Sequence, residues 1–257
     1  MGTRILTYDI ECIGLLGWTW GLYDQNVIRV THPAHILTIA YKWLDEKKVH
    51  CISLPDYPGY KKNPHSDKEL AKDFWKVIDE ADIVIGHNSN SFDNKIVNSM
   101  FIRHKLKPPS PYKQVDTMRV AKSVGRFTSN KLDDLGDVLE IGRKKDHEGF
   151  DLWIGCDSGN KKSWKKMIEY NKQDVIVTEN LYKELRPWMT PHPAMNVYEN
   201  RPQACPKCGG NRMHKGTKYQ ATNTNLYQYY RCKDCGGMAK ARIPEYKQAT
   251  ERMSFKN

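Results

Sequence analysis

The sequence has 257 residues, 39% of them hydrophobic, with 7 Trp, 14 Tyr and 6 Phe spread along its length. This composition excludes an intrinsically disordered chain, and no apolar run approaches the ~18 residues that a membrane-spanning helix requires. The formal net charge of +11 favours a polyanionic partner such as nucleic acid, although a membrane surface or solubility alone would also account for it.

The predicted elements form an α/β pattern, with strands first and then alternating helices and strands. The strands predicted from apolar alternation cover residues 3–13, 35–43, 49–52 and 82–87. The helices predicted from 3.6-residue periodicity cover residues 66–80, 93–104, 117–123, 132–140 and 161–185. An S-x-x-E pattern from Ser66 to Glu69 predicts a capping box on the first helix. Residues 143–157 are predicted to be mostly loop.

The basic charge is concentrated in the last quarter of the sequence. Residues 191–257 contain 12 Lys+Arg and 4 Asp+Glu, which leaves 29 and 26 for residues 1–190. This asymmetry predicts a nearly neutral body joined to a nucleic-acid-binding appendage. The predicted division is a body at 1–190, a linker at 191–199, a cysteine module at 200–243 and a basic tail at 244–257.

The start of the chain and its cysteines bear on the cellular compartment. The chain opens on a strand-like stretch that does not resemble a signal peptide. Of its seven cysteines, four are clustered in CxxC pairs and three are scattered. This usage fits a reducing compartment with a metal site better than a disulfide framework. We therefore expect an intracellular protein, in the cytoplasm or nucleoid and not secreted.

Two carboxylates lie on the first predicted strand. Asp9 and Glu11 are two residues apart, so their side chains point to the same face. They repel each other unless a cation lies between them. The alternative for this pair is a strand end that faces water.

Three further residues can contribute to the same site. Asp93 stands in the first turn of a predicted helix, where an acid commonly interacts with the helix dipole. Tyr170 and Asp174 are four residues apart on the last long helix and so share one face. Each of these features alone is also typical of an ordinary surface position.

In chain order, the motifs are D-x-E on a first strand, H-N-x-x-x-F-D after a later strand, and Y-x-x-x-D on a final helix. Together they resemble the DEDD superfamily of 3′→5′ exonucleases, in the tyrosine subgroup that includes the proofreading domains of family B DNA polymerases. The resemblance covers roughly residues 4–187. It implies an α/β, ribonuclease H-like fold, with a mixed sheet flanked by helices.

The resemblance also implies roles for individual residues. It assigns Asp9, Glu11, Asp93 and Asp174 as ligands of two Mg²⁺ or Mn²⁺ ions, and Tyr170 as the residue that orients the attacking water. It suggests that Asn88 contacts the substrate, whereas His87 is expected to be a packing residue at a strand end. The histidine subgroup would place its base where this sequence has Glu169, so the tyrosine form fits.

The activity implied is two-metal hydrolysis of phosphodiester bonds from a 3′ end, releasing nucleoside 5′-monophosphates. The expected partner is DNA or RNA, most simply single-stranded. Two alternatives stay open: a structure-specific endonuclease that uses the same site, and a non-catalytic nucleic-acid-binding protein.

The four clustered cysteines have the spacing C-x2-C-x23-C-x2-C, with Gly-Gly after each pair. This spacing predicts one structural Zn²⁺ in a zinc ribbon, held by Cys205, Cys208, Cys232 and Cys235. The alternatives are two fortuitous CxxC pairs or a redox site. Basic and aromatic residues lie between the pairs, and five of them are predicted to contact nucleic acid: Arg212, Lys215, Lys218, Tyr229 and Arg231. Ribbons also bind proteins, and tyrosines in a small module are often its core.

Overall fold

The computed structural model describes residues 2–44, 46–143, 148–223 and 225–247, with the backbone alone at 246 and 247. The chain divides into two compact units. The first, here the sheet unit, is Arg4–Tyr182; the second, here the cysteine unit, comprises Met1–Thr3 and Lys183–Asn257. Of the predicted basic tail, residues 248–257 lie outside the described residues.

The described residues of the sheet unit contain seven strands. They are β1 (Ile5–Ile13), β2 (Leu16–Trp18), β3 (Arg29–His32), β4 (His35–Trp43), β5 (His50–Ser53), β6 (Ile83–Gly86) and β7 (Lys113–Asp116). Five of them form one sheet in the order β5-β4-β1-β6-β7. The β5, β4 and β1 strands are antiparallel, whereas β1, β6 and β7 are parallel, so the sheet is mixed.

Six α-helices begin within the described residues of the sheet unit. They are α1 (Lys68–Asp79), α2 (Asp93–Arg103), α3 (Thr117–Val124), α4 (Leu132–Val138), α5 (Asp151–Asp157) and α6 (Lys161–Leu185). The last of these ends three residues into the cysteine unit. The predicted α/β class and mixed sheet flanked by helices are confirmed.

Alternation along β1 places different elements on the two faces of the sheet. On one face, the Tyr8 ring packs against Phe74 of α1 with centroids 5.1 Å apart. On the opposite face, Asp9 accepts a hydrogen bond from Asn171 of α6. The sheet is therefore sandwiched between α1 and α6, and both faces of its central strands are covered.

Two sequence predictions were wrong. The first helix has Asp67 as its N-cap residue and no side-chain cap, so the predicted capping box at Ser66 is absent. The Asp67 carboxylate instead accepts hydrogen bonds from Arg103 Nη2 at 2.5 Å and His104 Nε2 at 2.6 Å.

The stretch 143–157, predicted as mostly loop, contains α5, which is only seven residues long and buries Leu152.

Strands β2 and β3 form a separate two-stranded ribbon in the connection from β1 to β4. Most of its side chains are exposed, including Trp18 at 68% and Trp20, in the loop between the strands, at 90%. The ribbon lengthens the connection between the two central strands without adding to the buried core.

The cysteine unit contains a short helix and a four-stranded antiparallel sheet. The elements are α7 (Met195–Tyr198), β8 (Met213–Ala221), β9 (Asn225–Cys232), β10 (Met238–Lys240) and β11 (Tyr246–Lys247). Strand β9 is central, because β8, β10 and β11 all pair with it. Across the described ranges of both units, no helix combines the length and the apolar character needed to cross a membrane.

Candidate active site and cysteine site

Three of the predicted carboxylates converge where β1 meets α6. One oxygen from each of Asp9, Glu11 and Asp174 can be chosen so that all three lie within 4.8 Å of one another. Asp9 and Glu11 share a face of β1 because they are two residues apart, and the register of β1 with β4 shifts just after Glu11. Asp174 is buried on α6, and the two strand acids are half-buried. Close negative charges repel one another, so a cluster of three carboxylates favours bound cations.

A neighbouring asparagine fixes the position of Asp9. Asn171 is fully buried on α6, and its Nδ2 donates to Asp9 Oδ2 at 2.7 Å. Its Oδ1 accepts from Thr38 Oγ on β4 at 3.0 Å. The two bonds connect β4, α6 and β1 through one side chain. Asn171 was not among the site residues predicted from the sequence.

The fourth predicted acid, Asp93, lies at the start of α2 and is buried. Its Oδ1 accepts a hydrogen bond at 3.3 Å from the backbone N–H of Ile10, which stands between Asp9 and Glu11 on β1. Asp93 is therefore held beside the same stretch of strand, although it is not a member of the three-carboxylate group.

Tyr8, Asn94 and Asn90 form a chain of hydrogen bonds at the start of α2, where Asn94 is next to Asp93 in the sequence. The Tyr8 hydroxyl donates to Asn94 Oδ1 at 2.5 Å, and Asn94 Nδ2 donates to Asn90 Oδ1 at 3.3 Å. Burial, and next the charge of Asp93, raise the pKa of Tyr8 well above its ordinary value. The phenol therefore keeps its proton and remains a donor at neutral pH.

The loop between β6 and α2 is held by Asp116, the last residue of β7. The Asp116 carboxylate accepts from the backbone N–H groups of Asn88 at 3.0 Å and Asn90 at 3.2 Å. Asn88 has a φ of +59°, in the left-handed region that asparagine tolerates better than most residues. His87 bridges Thr117 Oγ at 2.9 Å and the Asn130 carbonyl at 3.0 Å, so its ring links three segments.

A cavity of about 350 Å³ opens beside Glu11. Its lining combines β1 residues with residues at the start of α2 and of α5: Ile10, Glu11, Cys12, Phe92, Gly149, Phe150 and Trp153. Phe92 and Phe150 are exposed, and the Trp153 ring meets the buried ring of Tyr170 edge-on at 6.1 Å. Tyr170 is thus placed behind one wall of this cavity.

The carboxylate site has the donor chemistry of a Mg²⁺ or Mn²⁺ site. These ions prefer oxygen ligands, and two oxygens bound to one Mg²⁺ are at most about 4.2 Å apart. The chosen oxygens of the three carboxylates all lie within 4.8 Å of one another, which is close to that limit. The residues present therefore fit such an ion.

The four clustered cysteines of the cysteine unit also converge. Their sulfur atoms all lie within 4.8 Å of one another, with Cys205 and Cys235 3.8 Å apart and Cys208 and Cys232 3.7 Å apart. Tetrahedral zinc with Zn–S bonds near 2.3 Å requires sulfur separations of about 3.8 Å. The cluster fits a zinc ribbon.

The two knuckles have matching backbone geometry. Gly209 and Gly236 have φ values of +72° and +75°, a conformation in which a side chain would be strained. In the first knuckle, Lys207 N–H donates to Cys205 Sγ at 3.4 Å; in the second, Asp234 N–H donates to Cys232 Sγ at 3.3 Å. These bonds favour the thiolate form that zinc requires.

The thiols influence one another's pKa. A hydrogen bond from Cys208 lowers the pKa of Cys205 to about 5, although burial opposes this effect. The pKa of Cys208 is raised, first because its proton is held by Cys205 and next by burial. The thiolate form is therefore favoured at Cys205 and disfavoured at Cys208.

The residues predicted to contact nucleic acid on β8 and β9 occupy two faces of their sheet. Lys215 pairs with Tyr230, so it lies on the opposite face from Tyr229 and Arg231. Arg212 Nε bonds to Asp234 Oδ1 at 2.5 Å, and Lys215 Nζ lies 3.7 Å from Glu245 Oε1. Lys218 is exposed. Arg212 and Lys215 therefore form ion pairs with acids of the cysteine unit.

The chain resembles known proteins in both sequence and fold. A family model described as the RNase_H superfamily matches residues 30–186, which include Asp93, Tyr170 and Asp174. The family B DNA polymerase from the hyperthermophilic archaeon Pyrobaculum calidifontis is similar in structure, with a TM-score of 0.54 and 12% identity. That match covers 88% of this chain and 32% of the polymerase chain, so this chain spans about a third of its length. At this identity the likeness concerns the fold alone. No curated protein matches the chain in sequence.

Proposed function

This chain belongs to the RNase H superfamily, and we propose that it is a metal-dependent nuclease that removes nucleotides from the 3′ end of a nucleic-acid strand. The products would be nucleoside 5′-monophosphates. The observation that carries the proposal is the convergence of Asp9, Glu11 and Asp174 where β1 meets α6. The order of the motifs in the sequence, with Tyr170 one turn before Asp174, supports the 3′→5′ direction.

Four acids would hold the metal: Asp9, Glu11, Asp93 and Asp174. Two Mg²⁺ or Mn²⁺ ions bound there would activate water and neutralise the charge that develops on the phosphate. Asn171 would keep Asp9 in place through its bonds of 2.7 Å to Asp9 and 3.0 Å to Thr38. Tyr170 would orient the attacking water by hydrogen bonding, because a phenol is a poor general base at neutral pH.

The cavity beside Glu11 would receive the terminal nucleotide. Phe92, Phe150 and Trp153 offer aromatic rings on which an unpaired base can stack, and such stacking tolerates any base. Glu11 lines the same cavity, so a base held there would bring its phosphate close to the carboxylates. This arrangement favours a single-stranded end as the substrate.

For the cysteine unit, we propose one structural Zn²⁺ held by Cys205, Cys208, Cys232 and Cys235. Its role would be to hold nucleic acid, through Lys218, Tyr229 and Arg231. The division into a nuclease body at 1–190 and a ribbon at 200–243 is part of this proposal.

The test compares wild type, Asp9→Asn and the control Asp134→Asn, which alters an exposed acid on α4. Each protein is given DNA and RNA oligonucleotides labelled at the 5′ or the 3′ end, with Mn²⁺. Wild type should give a descending ladder from the 5′ label and free mononucleotide from the 3′ label. Asp9→Asn should lose about 10³-fold in rate, because the metal contributes several kcal/mol. Asp134→Asn should stay within about twofold of wild type.

Each remaining outcome contradicts a specific part of the proposal. Internal fragments at early times would indicate an endonuclease. Equal activity in wild type and Asp9→Asn would indicate contamination and a non-catalytic protein. Tyr170→Phe should cost about 10–100-fold, less than Asp9→Asn, because orientation of water contributes less than the metal.

A further inference from the structure

A second and larger cavity lies along α6, in the sheet unit. It has a volume of about 1030 Å³ and runs between α6 and the segment 55–61. Its α6 residues recur every three or four positions and include Lys161, Trp164, Lys165 and Lys172. Successive helix residues turn by about 100°, so this stripe faces roughly 150–170° away from Tyr170 and Asp174. The groove is therefore separate from the carboxylate site.

Four lysines give the groove a positive lining: Lys61, Lys161, Lys165 and Lys172. In the part of the chain that the structure describes, none of these ammonium groups forms an ion pair with an acid. The groove also contains Asp56, but its Oδ2 already accepts from Ser53 N and Oγ, each at 2.8 Å. Only Glu169 adds a further negative charge to the lining. A bound polyanion would relieve the repulsion among the lysines.

Aromatic rings form the floor of the groove. Trp164 Nε1 donates to the Tyr60 hydroxyl at 3.1 Å, and the two rings meet edge-on with centroids 5.9 Å apart. Tyr57 is anchored in a similar way, since its hydroxyl donates to Asp73 Oδ2 at 3.2 Å. Both tyrosines are half-buried, so their hydroxyls are engaged while part of each ring remains accessible.

We propose that this groove binds a run of single-stranded nucleic acid, with phosphates on the lysines and bases against the tyrosines. Lysines beside stacking rings are the usual combination for a strand whose bases are unpaired. The groove is about three times the volume of the cavity beside Glu11, so it has room for more than one nucleotide. The choice of nucleic acid as the polyanion rests on the proposed function, and the groove would hold the substrate away from the cleaved end.

The test measures binding and not hydrolysis, so its result does not depend on whether the chain is a nuclease. The full chain is compared with Lys161→Ala/Lys165→Ala and with the control Lys107→Ala/Lys122→Ala. All four lysines are exposed, and the control pair lies outside the groove. Fluorescence anisotropy with a labelled single-stranded 20-mer, without added Mg²⁺ or Mn²⁺, gives Kd over a range of salt concentrations.

The groove variant should bind the 20-mer at least about tenfold more weakly than wild type at low salt, and the control within about twofold. The slope of log K against log salt should be shallower by about 1.4, since each lost phosphate contact removes about 0.7 for single strands. Unchanged binding, or an equal loss in the control variant, would overturn the proposal. An equal loss for a 20-base-pair duplex would overturn the single-strand assignment. Melting curves check that both variants are folded.

Discussion

The sheet unit and the cysteine unit place their proposed metal-binding groups by opposite means. In the sheet unit, a core of buried side chains drawn from residues 6–170 includes residues of β1, the strand that carries Asp9 and Glu11. In the described part of the cysteine unit, the buried hydrophobic residues beyond α6 are few and mostly small or flexible: Met189, Met195, Ala204, Cys205 and Cys232. Two of these five are themselves proposed metal ligands.

This difference predicts a different role for the metal in each unit. The carboxylates are positioned by protein contacts such as the bond from Asn171 to Asp9. Because the described part of the cysteine unit beyond α6 buries so few apolar side chains, we expect zinc to supply most of its stability. One site would then be shaped before the metal binds, and the other would be shaped by the metal.

Removal of zinc should produce the largest effect, confined to the cysteine unit. Structural zinc in small domains contributes on the order of 10 kcal/mol, so a zinc-selective chelator should unfold residues 200–247. Hydrogen exchange would show protection lost there and kept in β1 and β4. Metal analysis should give one zinc per chain. Retention of protection in β8 and β9 after zinc release would contradict the comparison.

Breaking the buried ion pair between β4 and α6 should have the next largest effect, on the stability of the sheet unit. Lys42 Nζ lies 2.5 Å from Glu179 Oε2, with both side chains largely buried. Lys42→Met leaves a buried carboxylate without this partner and should lower the free energy of unfolding of the sheet unit by about 3–5 kcal/mol. Urea denaturation measures this loss.

The matched double variant Lys42→Met/Glu179→Leu removes both charges and should recover most of that stability. Zinc content should be unchanged in both variants. A double variant as unstable as the single one would show that the cost lies in packing and not in the uncompensated charge.

The variant Asn171→Leu tests whether Asn171 positions Asp9 for catalysis or only stabilises the fold. The variant keeps the side-chain volume but loses the bonds to Asp9 and Thr38, so hydrolysis should fall about 10–100-fold. The Mn²⁺ concentration for half-maximal rate should rise as well, which a purely structural loss would not cause.

The control is Asn180→Leu, on the same helix, which loses the bond from Asn180 Nδ2 to the Ile141 carbonyl. It should lower the melting temperature without shifting the Mn²⁺ requirement. Equal shifts in both variants would mean that Asn171 acts only through helix stability.

The smallest effect should be a pH dependence at His35, the first residue of β4. Burial lowers the pKa of His35 below its ordinary 6.5, and the nearby His65 lowers it further, while Asp67, Asp157 and the bond from Nδ1 to the Pro33 carbonyl at 3.1 Å oppose the shift. As the pH falls below about 6.5, the unfolded chain binds this proton before the folded one, so stability declines. Above that pH the effect is absent.

Thermal melts of wild type and His35→Phe between pH 7.5 and 5.5 measure this contribution. The melting temperature of the sheet unit should fall less steeply with acid in the variant. Identical slopes would show that His35 does not titrate in this range.

The elements predicted correctly from the sequence are those with a strong local pattern. The D-x-E strand, the long helix α6 and the two cysteine knuckles depend on spacings of two to four residues. Short elements were harder to predict. Helix α5 spans seven residues flanked by Gly149 and Gly159, and the four-residue strand β7 follows a proline-rich stretch.

The partners of the site residues could not be predicted, because they are remote in the sequence. Asn171 is 162 residues from Asp9 and 133 from Thr38, and Lys42 is 137 residues from Glu179. Only the register of β1 with β4, and the placement of α6 on that face, brings these groups together. A lone asparagine or lysine has no local pattern that signals such a role.

The chain on the two sides of the register shift after Glu11 should differ in how well it tolerates insertions and deletions. Strand side chains alternate between faces, so losing one codon between Ile5 and Tyr8 would turn both strand acids towards Phe74 and α1. A codon gained or lost in the ribbon, beyond the shift, leaves their orientation intact. Related sequences should therefore differ in length within residues 14–34 but not within the nine residues of β1.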